Sequence, residues 1–143
     1  MKERMFLPTF TLEGINAFSK NTMTEHIGIE FTEIGEDFVK ATMPVDSRTV
    51  QPFRMLHGGA SVVLAESLGS VAATMTVDPN EKYCVGLDIN ANHIKAVKNG
   101  IVEGIARPLH VGKKTQVWEI KITNEEKQLV CVSRITMAVI DKK

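Results

Sequence analysis

The chain has 143 residues, 43% apolar and 24% charged, which suits one domain spanning residues 1–143 and is too short for a two-domain enzyme. Its 17 basic and 17 acidic side chains cancel, so the charge balance gives no electrostatic case for a nucleic acid or an anionic membrane as partner.

The opening, Met1 to Pro8, carries charge but only a two-residue apolar step before the proline. That is too short for a signal-peptide core, and a cytoplasmic location is expected. Between Thr9 and Phe18, hydroxyls suited to capping precede Leu12, Ile15 and Phe18, which fall on about one face of a short helix. From His26 to Val45 the period changes to two, with Gly35-Glu36-Asp37 between alternating runs, and a hairpin is predicted.

Asp46 to Arg54 is a polar loop containing Pro52, and Ala60 to Met75 has the alanines and leucines of a helix of four turns or more, the only long one. Val62, Val63, Leu64, Ala65, Leu68, Val71 and Ala72 lie nearly all round it, so it is expected to be enclosed. The nearly uncharged stretch Met55–Val77 holds His57, Glu66 and many small residues, which fits burial in protein rather than in lipid. Four further strands are predicted at Tyr83–Ile94, Gly100–Leu109, Thr115–Thr123 and Leu129–Ile140, separated by turn residues.

One central helix and about six antiparallel strands pack most economically as an α+β domain, a curved sheet wrapped around the helix. Such a sheet leaves strand edges and part of the helix poorly covered, and at least a homodimer is predicted. Cys84 and Cys131 sit in apolar runs without ligand spacing and read as buried free thiols. The histidines, His26, His57, His93 and His110, fall in separate segments, so no metal site is expected.

The residues able to do chemistry are Gln51, His57-Gly58-Gly59, Glu66 and Ser70. Gly58 and Gly59 stand at the helix entrance, where backbone N–H groups lack intrahelical partners and negative charge is favoured, so their amides can stabilise an oxyanion. Glu66 stands two turns on among Val62, Val63, Ala65 and Leu68, where dehydration makes a carboxylate a stronger base, and Ser70 shares its helical face. From the helix pattern alone, a carboxylate at a water-filled subunit seam, or one paired with a basic residue, explains Glu66 equally well.

The segments Met43-Pro44-Val45-Asp46-Ser47-Arg48-Thr49, Gln51-Pro52-Phe53, Leu56-His57-Gly58-Gly59-Ala60-Ser61-Val62-Val63-Leu64-Ala65-Glu66-Ser67, Val85-Gly86-Leu87-Asp88-Ile89-Asn90-Ala91-Asn92-His93 and Gln116-Val117-Trp118-Glu119 resemble the hot-dog-fold acyl-CoA thioesterases. Within that family they are most similar to the 4-hydroxybenzoyl-CoA thioesterase type with a helix-borne glutamate and to the bacterial dihydroxynaphthoyl-CoA thioesterases of menaquinone synthesis. The resemblance implies that Glu66 is the catalytic carboxylate, as base toward water or as nucleophile. It makes the Gly58 N–H the group that polarises the carbonyl, His57 and Gln51 active-site residues, and Ser70 the hydroxyl near the thioester. It further implies sites between two subunits of a homodimer or homotetramer, an acyl-CoA substrate with an aromatic acyl group, and no cofactor besides the coenzyme A of that substrate. His93, Lys95, Gly112, Lys113, Lys114, Thr115 and Arg134 are the expected contacts of coenzyme A, whose phosphates favour Lys, Arg and backbone amides. Arg54 departs from the family's small residue before the His-Gly-Gly turn and is expected to bear on the acyl pocket.

Gly59-Ala60-Ser61 begins like a nucleophile elbow, but Val63 stands where the last glycine belongs. A dinucleotide fold fails for want of a glycine-rich turn between a strand and a helix. A non-catalytic acyl-CoA binding module on the same fold is the remaining alternative, and the carboxylate of Glu66 argues against it.

Overall fold

In the computed structural model, which describes residues 4–143, Thr11 Oγ1 accepts a hydrogen bond from the Gly14 N–H at 3.0 Å and opens α1 (Leu12–Phe18) where the capping residues place it. A single-turn helix for which no expectation was made, α2 (Met23–His26), ends at His26, where strand alternation was expected to begin, and Gly28 turns the chain at φ 81°. The hairpin therefore starts later than the sequence suggests, with β1 (Glu30–Ile34) antiparallel to β2 (Val39–Pro44). Helix α3 (Gly58–Thr74) begins two residues before the expected start because His57 caps it. The remaining strands are β3 (Lys82–His93), β4 (Ile101–Val111), β5 (Thr115–Thr123) and β6 (Leu129–Asp141).

The six strands form one antiparallel sheet in the order β1-β2-β4-β5-β6-β3. Between β2 and β3 the chain crosses the whole sheet, and α3 is the crossing segment. Leu64, Ala65, Leu68, Ala72 and Ala73 are buried on the same core as Val102, Ile120, Ile122, Ile135 and Met137. Two glycines let the layers approach closely: a Cβ on Gly69 would stand 2.5 Å from Ile135 Cγ2, and one on Gly104 would stand 2.5 Å from Leu68 Cδ1. A buried polar chain closes the far end of the helix. Trp118 Nε1–H donates to Gln116 Oε1 and the Gln116 amide donates to Thr76 Oγ1, both at 2.8 Å, while Phe6 stacks on Trp118 with ring centroids 6.1 Å apart.

Two expectations need correction. Helix α3 is not enclosed on all sides within one chain: its inward face is buried, but Glu66 on the outward face is exposed and Val62, Val63, Ser67 and Ser70 are half-buried. The small apolar residues that encircle the helix make its outer face fit for another surface, and the single chain supplies none. Of the two free thiols, Cys131 is buried but Cys84, on β3, is only half so, and burial pushes both thiols up from their ordinary range.

The sheet's two edges differ. At β1 the side chain of Asn16 takes both outward backbone groups of Phe31, accepting from its N–H at 2.9 Å and donating to its carbonyl at 2.8 Å. At β3 twelve residues run along an open edge, with Tyr83, Val85 and Leu87 exposed, and a bulge at Leu87 breaks the register with β6 between Gly86 and Asp88. Among the described residues no helix is long and apolar enough to cross a membrane.

Candidate active site

The N-terminus of α3 is organised by His57, whose backbone N–H donates to the Thr49 carbonyl at 2.8 Å and whose Nδ1 accepts the Gly59 N–H at 2.8 Å. In the neutral ring the proton therefore sits on Nε2. This bond corrects the expectation of two bare amides. Gly59 is engaged, and only the Gly58 N–H is without an acceptor among the described residues. Glycine at position 58 lets His93 approach closely, since a Cβ there would stand 2.9 Å from His93 Nε2.

The loop before the helix is tied by the Gln51 N–H to the Met55 carbonyl and by the Arg54 N–H to the Gln51 carbonyl, each at 2.8 Å. Gln51 Oε1 accepts the Phe53 N–H, which leaves its amide NH₂ as the donor facing outward from the loop. Arg54 adopts the left-handed conformation at φ 66° and is exposed at the tip. It is not part of the wall of the neighbouring cleft. The cleft has a volume of about 350 Å³ and is lined by Gln51, Gly58, Ser61, His93, Lys95 and Val130, among others. Ser61, weighed from the sequence only as a nucleophile-elbow serine, and Ile94, Ala96 and Val130 were not among the expected site residues; the available signal for Ser61 was its place one turn after Gly58 on the same helical face.

Glu66 lies elsewhere on the helix. It is eight residues beyond Gly58, about 12 Å along the axis, and its carboxylate reaches over β3, with Oε1 3.0 Å from where a Cβ on Gly86 would be. The dry apolar surroundings expected for it are absent within one chain, because Val62 and Val63 leave its side of the helix open. Nor does Ser70 hold it: the Ser70 hydroxyl points to Met137 Sδ at 4.0 Å. A carboxylate so far from the free amide cannot act on a carbonyl bound to that amide within a single chain.

The expected coenzyme A contacts also divide. His93 and Lys95 belong to the cleft. Gly112, Lys113, Lys114 and Thr115 form the turn between β4 and β5, closed by the Gly112 N–H to Thr115 carbonyl bond at 2.9 Å, and the Val139 N–H donates to the Lys114 carbonyl at 2.8 Å. That places the turn beside Val139, the partner of Cys84, eight residues along β6 from Cys131, the partner of His93, so roughly 27 Å of strand separates the turn from His93. There Lys82, the largest influence, holds the Asp141 carboxyl below its usual range, with Lys114 adding to the effect. Arg134 is exposed in mid-strand on β6, opposite Asn90 and Glu119. Among the described residues no cluster of His, Cys, Asp and Glu is suited to a metal ion.

Comparison with known proteins gives these features a family. Residues 53–131 match the thioesterase superfamily. The chain is 52% identical over 130 residues to the 1,4-dihydroxy-2-naphthoyl-CoA hydrolase of Escherichia coli, covering 91% of this chain and 95% of that one. It is 50% identical over 130 residues to the proofreading thioesterase EntH of Cronobacter turicensis, covering 91% and 94%. Among solved structures, a mutant of thioesterase PA1618 from Pseudomonas aeruginosa superposes with a TM-score of 0.95 at 46% identity, over 96% of this chain and 99% of that chain. Thioesterase HI1161 from Haemophilus influenzae gives 0.93 at 50% identity, over 96% and 95%. A long helix gripped by a six-stranded antiparallel sheet, with a glycine amide left free at its entrance, is accordingly the hot-dog fold, and the chain belongs to the thioesterase superfamily as a thioester-hydrolysing enzyme.

Proposed function

We propose that this thioesterase hydrolyses an acyl-CoA whose acyl group is aromatic, of the hydroxybenzoyl or dihydroxynaphthoyl kind, with tolerance for other acyl chains. Water adds to the thioester carbonyl, the carbon–sulfur bond breaks, and the products are the free carboxylic acid and coenzyme A with its thiol restored. The aromatic preference is supported by the 52% identity to the naphthoyl-CoA hydrolase.

The observation that carries the reading is the unengaged Gly58 N–H at the mouth of a cleft, on a 17-residue helix whose dipole favours negative charge there. It receives the carbonyl oxygen. Gln51 and His57 flank it, the first offering its amide NH₂ and the second its Nε2–H, and position the thioester and water. Glu66, on the outward side of α3, acts as general base or as nucleophile.

Because 12 Å of helix separates Gly58 from its own Glu66, the carboxylate that serves each cleft comes from a second copy. Antiparallel pairing of β3 with the partner's β3 joins the open edges, covers Val85 and Leu87, and dehydrates the outward face of α3. The same pairing brings the partner's Lys113 and the partner's Lys114 toward His93 and Lys95, which assembles a cationic rim for the coenzyme A phosphates from groups that one chain keeps apart.

The test is release of free thiol from a panel of aryl- and alkyl-CoA thioesters by the wild type and by Glu66→Gln. The expected result is hydrolysis that is fastest on aryl substrates and falls by about 10²-fold or more in kcat for the variant. Retention of most of the wild-type kcat by Glu66→Gln overturns its assigned role. A wild type that binds these thioesters and hydrolyses none of them is a binding module.

A further inference from the structure

The N–H offered to the carbonyl oxygen belongs to the peptide between His57 and Gly58, and the tilt of that peptide decides where the N–H points. The peptide is clamped on both sides. After it, His57 Nδ1 accepts the Gly59 N–H at 2.8 Å. Before it, the His57 N–H donates to the Thr49 carbonyl, also at 2.8 Å. The His57 backbone, at φ −69° and ψ 129°, is set between these two bonds. The bond to Thr49 is only as firm as the hold on Thr49 itself.

Thr49 is 2% exposed, and its side chain ties it to the sheet. The hydroxyl donates to the Pro44 carbonyl at 2.7 Å and accepts the Asp46 N–H at 3.1 Å. Its own N–H reaches the Asp46 carbonyl, within the same turn, at 2.9 Å. Pro44 is the last residue of β2 and pairs with Ile101 of β4. Support for the site therefore starts at the end of a strand, passes through the Thr49 hydroxyl, and reaches the entrance of α3 through the Thr49 carbonyl and His57. Next door, the Leu56 N–H donates to the Val97 carbonyl at 2.7 Å. A loosened Thr49 would let the peptide between Leu56 and His57 pivot about that second tie, which changes the aim of the Gly58 N–H without releasing the loop.

We infer that Thr49 is a positioning residue of the thioesterase site: its hydroxyl, anchored to β2, holds the carbonyl that orients His57 and so aims the Gly58 N–H at the oxygen of the substrate. The inference rests on the thioester reading of this cleft. Thr49 is not in the cleft wall and exchanges no proton. An oxyanion donor stabilises the transition state only as far as it is aligned with the place where charge develops, and a displacement of about 1 Å costs about 10²-fold in rate.

The experiment compares, in the full chain, Thr49→Val, which keeps the shape and removes the hydroxyl, with Thr49→Ser, which keeps the hydroxyl. Thr76→Val is the control. The Thr76 hydroxyl likewise donates to a carbonyl, that of Ala73 at 2.7 Å, and accepts a hydrogen bond, from Gln116 at 2.8 Å, but at the far end of α3. Both valine variants are expected to unfold at lower urea than wild type. Only Thr49→Val is expected to lower kcat on benzoyl-CoA, about tenfold with KM little changed, while Thr49→Ser and Thr76→Val stay within about twofold. The carbonyl stretch of benzoyl-CoA bound to Glu66→Gln, read by difference Raman, is expected to rise in frequency when Thr49→Val is added and not when Thr76→Val is added. Lost stability alone does not produce that difference. Should Thr49→Val fail to fold, Thr49→Cys, a weaker donor of similar size, takes its place with the same expectations. A kcat for that variant within about twofold of wild type, an unmoved carbonyl stretch, or an equal loss in Thr49→Ser or Thr76→Val overturns the inference and leaves the thioesterase reading standing. If the wild type hydrolyses no CoA thioester, both fall together.

Discussion

The carboxylate of Glu66 lies over the backbone of Gly86, so close that a Cβ on residue 86 would meet Oε1 at 3.0 Å. Helix α3 and the open strand β3 thus cooperate: one carries the acid and the other clears the space it occupies. Gly86→Ala should leave the fold intact, since its other neighbours, Ile135 Cδ1 and Met137 Sδ, would stand at an ordinary 3.9 Å. The added methyl displaces the carboxylate by a few tenths of an ångström. We expect kcat to fall about tenfold with little change in the urea midpoint, and steady-state hydrolysis beside equilibrium unfolding checks both.

Assembly should control activity. Leu87, at the bulge of β3, is 62% exposed on the edge assigned to the partner copy. A charge placed there remains solvated in a lone chain and is buried in the pair. Leu87→Glu is expected to elute as a monomer by size exclusion with light scattering, to keep its circular dichroism, and to lose hydrolysis. A monomer that retained activity would remove the case for a shared site.

Stability should depend on the narrow gap between helix and sheet at Gly69. A methyl group there collides with Ile135 Cγ2 at 2.5 Å, inside the buried core, where something must shift. Overpacking of this sort costs about 1–3 kcal/mol, more than alanine's helix propensity returns, about 1 kcal/mol. Gly69→Ala should therefore unfold at lower urea than wild type despite being the better helix former.

The pH dependence of stability follows from the cysteines. Burial raises the Cys131 thiol above its unfolded value, so between the unfolded and folded pKa values the native state keeps a proton that the unfolded chain has lost. The associated stability is fully present below about pH 8.5, the free-thiol value, and declines as pH rises through the folded one. In urea titrations from pH 8 to 10, Cys131→Ala should show a shallower loss of stability than wild type.

Element types were readable because each rests on local pattern. Thr11 and the spacing of Leu12, Ile15 and Phe18 specify α1, and the alternation in β5 specified its bounds to the residue. The turn at α2 was missed because four residues are too few to show a helical period, and His26-Ile27-Gly28-Ile29 imitates alternation. Resemblance pointed to Glu66 and Gly58 as the residues to inspect, but sequence could not reveal that His57 Nδ1 occupies the second glycine amide. Nor could it show Ser70 turned toward Met137, or the 12 Å between acid and amide. Those facts depend on how the helix rotates against the sheet, which no single segment encodes.

The two borders of the sheet have unequal fates. Asn16 occupies the outward N–H and carbonyl of Phe31 on one side and interrupts the ladder of the five-residue β1, while the β3 side stays bare along its twelve residues. A body with one adhesive margin, joined to its like, has nothing left with which to recruit a third strand-to-strand. If two copies join by their β3 edges, Asn16 at the opposite border is expected to discourage further pairing, and Asn16→Ala is expected to show additional association by light scattering.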